Sequence, residues 1–452
     1  MKKEQSQPTP FNPLARLNLN AAGLDVGAAE IWACVPQDRA EAHVRPFPTF
    51  TADLHALADW LQACHIETVA MESTGVYWIP IYEILVERGL EVKLVNAQHL
   101  KNVPGRKSDV LDCQWLQQLH TYGLLRGSFR PDEDMCAVRA YTRQRASLIQ
   151  CRSQHIQHMH KALQQMNLLL PQVVSDITGE TGLKIIRAIL AGEHDPQTLA
   201  KFRNNHCHTS EADIAKALTG NYKAEHLFVL GQALALYDFY STQIQACDAQ
   251  LQTKYAAFKP QVDLAQHPLP PPRQPHRASL GPNFDLREYL YLLTGVDLTQ
   301  IDGINALTAQ TVLAEIGLDM SLWPTVKHFT AWLCLCPHNA VSGGKRLSAR
   351  TQHTKNRANT ALRIAAQSLS HSHSALGSYY RRKRAQLGAP KAITATAHKL
   401  ARIIYFMLKQ RQAYQDPDPN YYEQQYRERT LRKLKRQAAD FGLELVPQTL
   451  VS

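Results

Sequence analysis

Over about the first 125 residues, short apolar runs with strand-like alternation are interleaved with segments of helical periodicity. Ala22 to Val26, Ile31 to Val35 and His43 to Phe50 read as three strands with short connections, which predicts an antiparallel meander. Pro46 and Pro48 remove ladder donors from the third, so it belongs at a sheet edge. Asp53 to Cys64 then reads as helix, Thr68 to Met71 as strand, Trp78 to Arg88 as helix, Val92 to Val95 as strand and Ser108 to Thr121 as helix. The predicted order is βββαβαβα, an α/β domain with a mixed sheet.

Beyond it the pattern turns helical. From Asp132 to about Leu170 the chain has almost no Gly or Pro, and Val138, Leu148, Ile156, Met159, Leu163 and Met166 recur at mostly helical spacing, which predicts one extended helix or a helical hairpin. Helical segments continue to about Tyr255. The run HPLPPPRQPH, with five prolines, then breaks every regular pattern and reads as a semi-rigid linker. Helices and loops resume from Leu286 to about Tyr414. Within them, Leu298 to Gly317 has a glycine turn between two apolar segments and resembles a helix-hairpin-helix, whose backbone amides can hold a DNA phosphate. The expected organisation is a flexible N-terminus over 1–19, an α/β domain over 20–131, a helical region over 132–266, the linker over 267–284, a mainly helical C-terminal domain over 285–414 and a basic tail over 415–452.

Composition narrows the function. With 452 residues, 44% hydrophobic and 20% charged, the chain has the profile of a globular protein of several domains. It has no apolar stretch of membrane-spanning length and no apolar core behind its basic first residues, so a cytoplasmic protein without a membrane partner is expected. Nine cysteines, an odd number without repeated spacing, argue against a disulfide framework and against structural zinc. A net charge of +11 favours a polyanionic partner, because Lys and Arg release counterions from a phosphate backbone. Nucleic acid is the economical choice, and the runs YYRRKR and RERTLRKLKRQ concentrate that charge, although a solvated tail is the favoured reading of the second taken alone.

Four carboxylates carry the candidate chemistry. Asp25 lies near the end of the first strand in GLDVG, where flanking glycines allow a phosphate or metal to come close. Glu72 ends the fourth strand in TVAMESTG. Asp109 and Asp112, three residues apart in SDVLDCQWL, share one face of the final helix. Singly, each has a plain structural reading as a turn residue, a cap partner or a charge complementing a helix dipole. Jointly, they match the way a ribonuclease H-like sheet gathers hard oxygen ligands for Mg²⁺ or Mn²⁺ in phosphodiester chemistry.

At this point the sequence resembles a known family, the DEDD transposases of the insertion sequence 110 and 1111 group. The resemblance runs through MESTGVYW, VKLVNAQHLKNVPGRKSDVLDCQWLQQLHTYGLLRGSF, DITGETGLKIIRAILAGE and SGGKRLSARTQHTKNRANTALR. It implies a RuvC-like N-terminal domain with Asp25, Glu72, Asp109 and Asp112 at the DEDD positions, then a coiled coil and a C-terminal transposase domain with a nucleophilic serine. It also implies a bridge RNA guide, double-stranded DNA partners at the element's ends and the target, and a homodimer or homotetramer. The serine candidate is Ser342 in NAVSGGK, with Ser348 a distant second. Family members often carry two adjacent hydroxyl residues before GGK, whereas here the preceding residue is Val341.

A protein hydroxyl conserves the phosphodiester as a covalent link, whereas water would release two ends. Gly343 and Gly344 would let backbone amides approach the phosphate, and Lys345 and Arg346 could balance its charge. Arg357 and Arg363, on the helix that follows, are further candidates for phosphate contacts. Without the resemblance, an ordinary Ser-Gly-Gly turn is the first reading. Three rivals stay open: a metal-dependent nuclease or junction resolvase using water, an actin-like kinase suggested by GLDVG alone, and a DNA-binding protein without catalysis.

Overall fold

The computed structural model describes residues 15–73, 75–96, 109–273, 280–415 and 421–444, apart from the side chains of residues 346, 421–426 and 429. Most of the expected flexible N-terminus, the end of the proline-rich run, the residues just before Asp109 and both ends of the basic tail lie outside them. The chain divides into two compact units, Met1–Arg130 and Pro131–Ser452.

The first unit is built on one mixed sheet. Its strands are β1 (Ala21–Val26), β2 (Glu30–Cys34), β3 (Val44–Pro48), β4 (Thr68–Glu72) and β5 (Glu91–Val95), in the spatial order β3-β2-β1-β4-β5. The first three pair antiparallel, as the short connections predict, and the proline-bearing β3 is an edge. The next two add in parallel on the other side of β1, because helices α1 (Thr51–Ala63) and α2 (Trp78–Glu87) provide the crossovers.

Strand periodicity then separates two faces. Ala22, Leu24 and Val26 of β1, with Val69 and Met71 of β4, pack against Leu54, Leu57 and Leu61 of α1 and Ile81 and Leu85 of α2. Fully buried side chains of this size each contribute about 1.5–3 kcal/mol. Residues of the opposite parity face α3 (Asp109–Thr121), whose Leu116 joins Ala70, Val95 and Leu125 in a smaller cluster.

In the second unit, α4 (Glu133–Gln165) is one uninterrupted helix of 33 residues, started by the Asp132 side chain accepting from the Met135 amide. It runs antiparallel to α5 (Ala224–Ala257). The pairing is marked in order by Asp134 with Lys254 at 2.6 Å, a buried Arg145–Asp248 ion pair, and His155 stacked on Tyr240. Shorter helices, including α6 (Glu180–Leu190), close a core around Met159, Leu163, Ile186 and Leu230 at one end of the pair.

The C-terminal helices of this unit are α7 (Leu286–Thr294), α8 (Ala306–Ile316), α9 (Val326–Trp332), α10 (Arg357–Ser368), α11 (Ala375–Leu387), α12 (Ala389–Gln410) and α13 (Tyr421–Asp440). Three features differ from the sequence reading. The first arm of the expected helix-hairpin-helix is a single 3-10 turn, Leu298–Gln300, because Asp297 caps it and the Asp302-Gly303 turn follows at once. A two-stranded hairpin, β6 (Ala340–Ser342) with β7 (Lys345–Ser348), interrupts the helices. Much of the basic tail is the helix α13.

Candidate active site

Asp25 precedes the last residue of β1, and Glu72 is the last residue of β4. The two strands are parallel neighbours with Leu24 opposite Met71. Continuing that register by one residue sets Asp25 beside Glu72 at adjacent strand ends, on the face that carries α3. Asp109 opens α3 and Asp112 follows almost one turn later, in line with the buried Cys113 and Leu116.

The helix reaches the sheet because position 23 has no side chain. A Cβ on Gly23 would lie 2.3 Å from both the Cys113 carbonyl oxygen and the Gln117 amide nitrogen, so the backbone of α3 rests directly on β1. Two hydrogen bonds hold it there. The His120 Nε2 lies 2.8 Å from the Thr68 hydroxyl of β4, and the Gln117 side-chain Nε2 donates to the Ala21 carbonyl at 3.3 Å. Burial, with help from the charge of Lys93, pushes His120 down to about 4, so the imidazole in this contact is neutral. Cys34, opposite Gly23 on β2, meets Cys113 over the same gap. Their hydrogen bond, followed by burial, raises the Cys113 thiol and keeps it protonated.

The electrostatics of Asp25 register the arrangement. Burial pushes its carboxyl up to about 6, and the negative charges of Asp109, Asp112 and Glu72 act in the same direction, against a hydrogen bond from the Val26 backbone. All four carboxylates therefore act on one corner of the sheet. Among the described residues, no three His, Cys, Asp or Glu side chains are gathered closely enough to hold a metal ion. The donor set is nevertheless the hard, anionic kind that suits Mg²⁺ or Mn²⁺, and a cation would offset the repulsion felt at Asp25.

Ser342 belongs to the second unit and ends β6. It faces Lys345 across a two-residue loop in which Gly343 and Gly344 have φ of +53° and +74°. Two consecutive left-handed residues make the type I′ turn that suits a tight hairpin, which explains the Gly-Gly pair. Val341, Ser342, both glycines and Lys345 are exposed, and the Ser342 hydroxyl makes no hydrogen bond among the described residues. The side chain of Arg346 lies outside them. Arg357 is exposed in the first turn of α10, where Asn356 caps the Ala358 and Asn359 amides, and Arg363 is half-buried one and a half turns further on. A cation at a helix N-terminus adds to the positive end of the dipole and favours an anion there.

Sequence reasoning missed Gly23, Cys113 and the Thr68–His120 contact, all of which position α3. The available signal was the glycine inside an otherwise apolar strand, which marks close backbone approach, and the 113, 116, 120 spacing of a buried helix face.

Comparison with known proteins follows the same two regions. Residues 22–168 match the DEDD transposase model of the IS110 type, and residues 297–381 match the model described as transposase of the IS116/IS110/IS902 family. No curated protein gives a match. The first match covers the carboxylate-bearing sheet and all of α4; the second runs from the 3-10 turn through the Ser342 hairpin into α11. Among the described residues no helix is long and apolar enough to cross a membrane. Together the two matches, in chain order, span just over half of the sequence, and the chain belongs to the IS110 family of transposases, enzymes that act on DNA.

Proposed function

We propose that this transposase cuts, exchanges and rejoins DNA strands through a covalent link to Ser342, using Mg²⁺ or Mn²⁺ held by Asp25, Glu72, Asp109 and Asp112 and a bridge RNA as guide. The observation that carries the catalytic part is the convergence of the four carboxylates on Asp25, which burial raises to about 6 and which the charges of Asp109, Asp112 and Glu72 push in the same direction. DEDD-type transposases are typically metal-dependent, and an uncompensated carboxylate cluster is the chemistry that a divalent cation fits. Bound there, such an ion would supply a counter-charge for the phosphate and lower the barrier to deprotonating an attacking hydroxyl.

The serine reading comes from the family resemblance, and the exposed hairpin supports it. The exposed Ser342 hydroxyl attacks a phosphodiester, an Oγ–P bond forms, the P–O bond to one strand end breaks, the serine proton passes to a base, and the departing oxygen takes up a proton to leave as a hydroxyl. Attack by a hydroxyl end of the exchanging strand reverses the step and frees the serine, so rejoining requires no external energy source. The Gly343 and Gly344 amides, Lys345, Arg346, Arg357 and Arg363 hold phosphates around it. The substrates are the element's double-stranded ends and a target duplex, handled by a homodimer or homotetramer.

The test incubates the purified protein with labelled element-end DNA and Mg²⁺, with and without RNA transcribed from the element's noncoding end. A protein–DNA adduct stable to denaturation is expected, absent for Ser342→Ala and for Asp25→Asn. A Ser342→Ala protein that cuts and rejoins like the wild type would replace the serine by water and make the enzyme a nuclease or junction resolvase. Adduct formation indifferent to the RNA would remove the guide from the mechanism.

A further inference from the structure

Between Met320 and Gln415 the chain contains 16 Lys or Arg residues and no Asp or Glu. The net charge of the whole chain is only +11, so everything outside this stretch is net negative. A solvated charged face normally mixes signs. Unmixed positive charge over almost a hundred residues is the footprint of a polyanion.

The folded stretch turns that charge into a surface. The α11 and α12 helices are joined through Gly388 and pack against each other. Ala392, Thr396, Ala397, Leu400, Ala401 and Ile404 bury one face of α12. Its outer face exposes Lys391, Arg402 and Lys409, spaced 11 and 7 residues apart and therefore aligned along the axis. At 1.5 Å per residue the stripe is about 27 Å long, equivalent to roughly eight base pairs. Half-buried Lys399 and His398 lie along it, and His398 is pushed down by burial and then by the charges of Arg402 and Lys399. On α11, Arg381 and Arg384 are exposed beside Arg382 and Lys383. Helix α13, with exposed Lys433, Lys435 and Arg436, packs against α11. Two basic helices side by side repel within a Debye length, about 8 Å at physiological salt, and an intervening polyanion offsets that cost.

We propose that α11 and α12 form a docking surface for the backbone of duplex DNA, in addition to the Ser342 hairpin. The α12 stripe lies wholly beyond the residues that match the transposase models. Duplex DNA fits better than single-stranded nucleic acid, because Phe406 is the one exposed aromatic residue described on these helices, whereas single strands are gripped by stacking on aromatic rings. The inference rests on the transposase assignment but on neither the serine nor the metal.

The experiment is equilibrium binding of the full-length protein to a short mixed-sequence DNA duplex in EDTA, across a salt series, for the wild type and the triple variant Arg384→Gln, Lys391→Gln, Arg402→Gln. Loss of three phosphate contacts should flatten the slope of log K against log salt by about 2 to 3 and weaken binding roughly a hundredfold at 0.1 M salt. The charge-keeping triple Arg384→Lys, Lys391→Arg, Arg402→Lys should retain the wild-type slope, and matching melting curves would separate binding loss from unfolding. An unchanged slope in a folded Gln variant overturns the proposal. So does a loss confined to a folded RNA probe, which would assign the surface to RNA instead. Because the readout is binding and not cleavage, failure of the Ser342 mechanism would leave this measurement intact.

Discussion

Asp25 pays for its surroundings in stability. Its carboxyl is raised from 3.8 to about 6, so above pH 6 the folded state carries an ionised group that the unfolded chain accommodates more easily. As pH falls from about 6 towards 3.8 the folded state takes up the proton first, and the wild-type protein gains stability from this group over that window. After allowance for the water that still reaches it, the cost at neutral pH is about 1–2 kcal/mol. Asp25→Asn in metal-free buffer should therefore melt a few degrees higher than wild type at pH 7.5 and show little advantage near pH 4. Mg²⁺ should stabilise the wild type at pH 7.5, progressively less below pH 6, and the Asn variant hardly at all. Thermal melts over this grid decide the matter, and a variant less stable than wild type at pH 7.5 without metal would contradict the burial and repulsion inferred here.

At the scale of elements, the decisive contact is α3 on β1. Gly23→Ala sets a methyl 2.3 Å from two backbone atoms of α3, atoms that yield only if the helix itself moves. Overpacking of this kind costs about 1–3 kcal/mol, and any shift carries Asp109 and Asp112 away from Asp25. The variant should lose most of its strand-cleavage activity even at temperatures where circular dichroism shows it folded; wild-type activity with a wild-type melting point would refute the close approach. The β6–β7 hairpin illustrates how unevenly elements are legible. Its Gly-Gly turn is readable in SGGK, but its strands are three and four residues long, too short for alternation to stand out among helices.

For the whole molecule, the proposed metal chemistry and the proposed DNA surface fall in different units. The carboxylates lie in Met1–Arg130, while the acid-free basic stretch lies in Pro131–Ser452. Chelation should therefore abolish strand cleavage and leave DNA affinity close to that of the metal-containing protein, which mobility shifts and cleavage assays on the same samples would reveal. A parallel loss of binding in EDTA would mean that the metal site also holds the DNA.

The sequence by itself determined the strand and helix order of the first unit, the edge position of the proline-bearing strand and the family, because period-2 and period-3.6 patterns and long ordered motifs are local properties of the chain. It also marked Asp25, Glu72, Asp109 and Asp112 as candidates. Whether four acids separated by as many as 87 positions act on one another is not local. The parallel register of β1 and β4 and the bare backbone at Gly23 decided that, since only they bring strand ends and a later helix to one corner. The basic stripe shows the same division: the absence of acids can be counted in the sequence, but which cations face outward together followed from the buried face of α12.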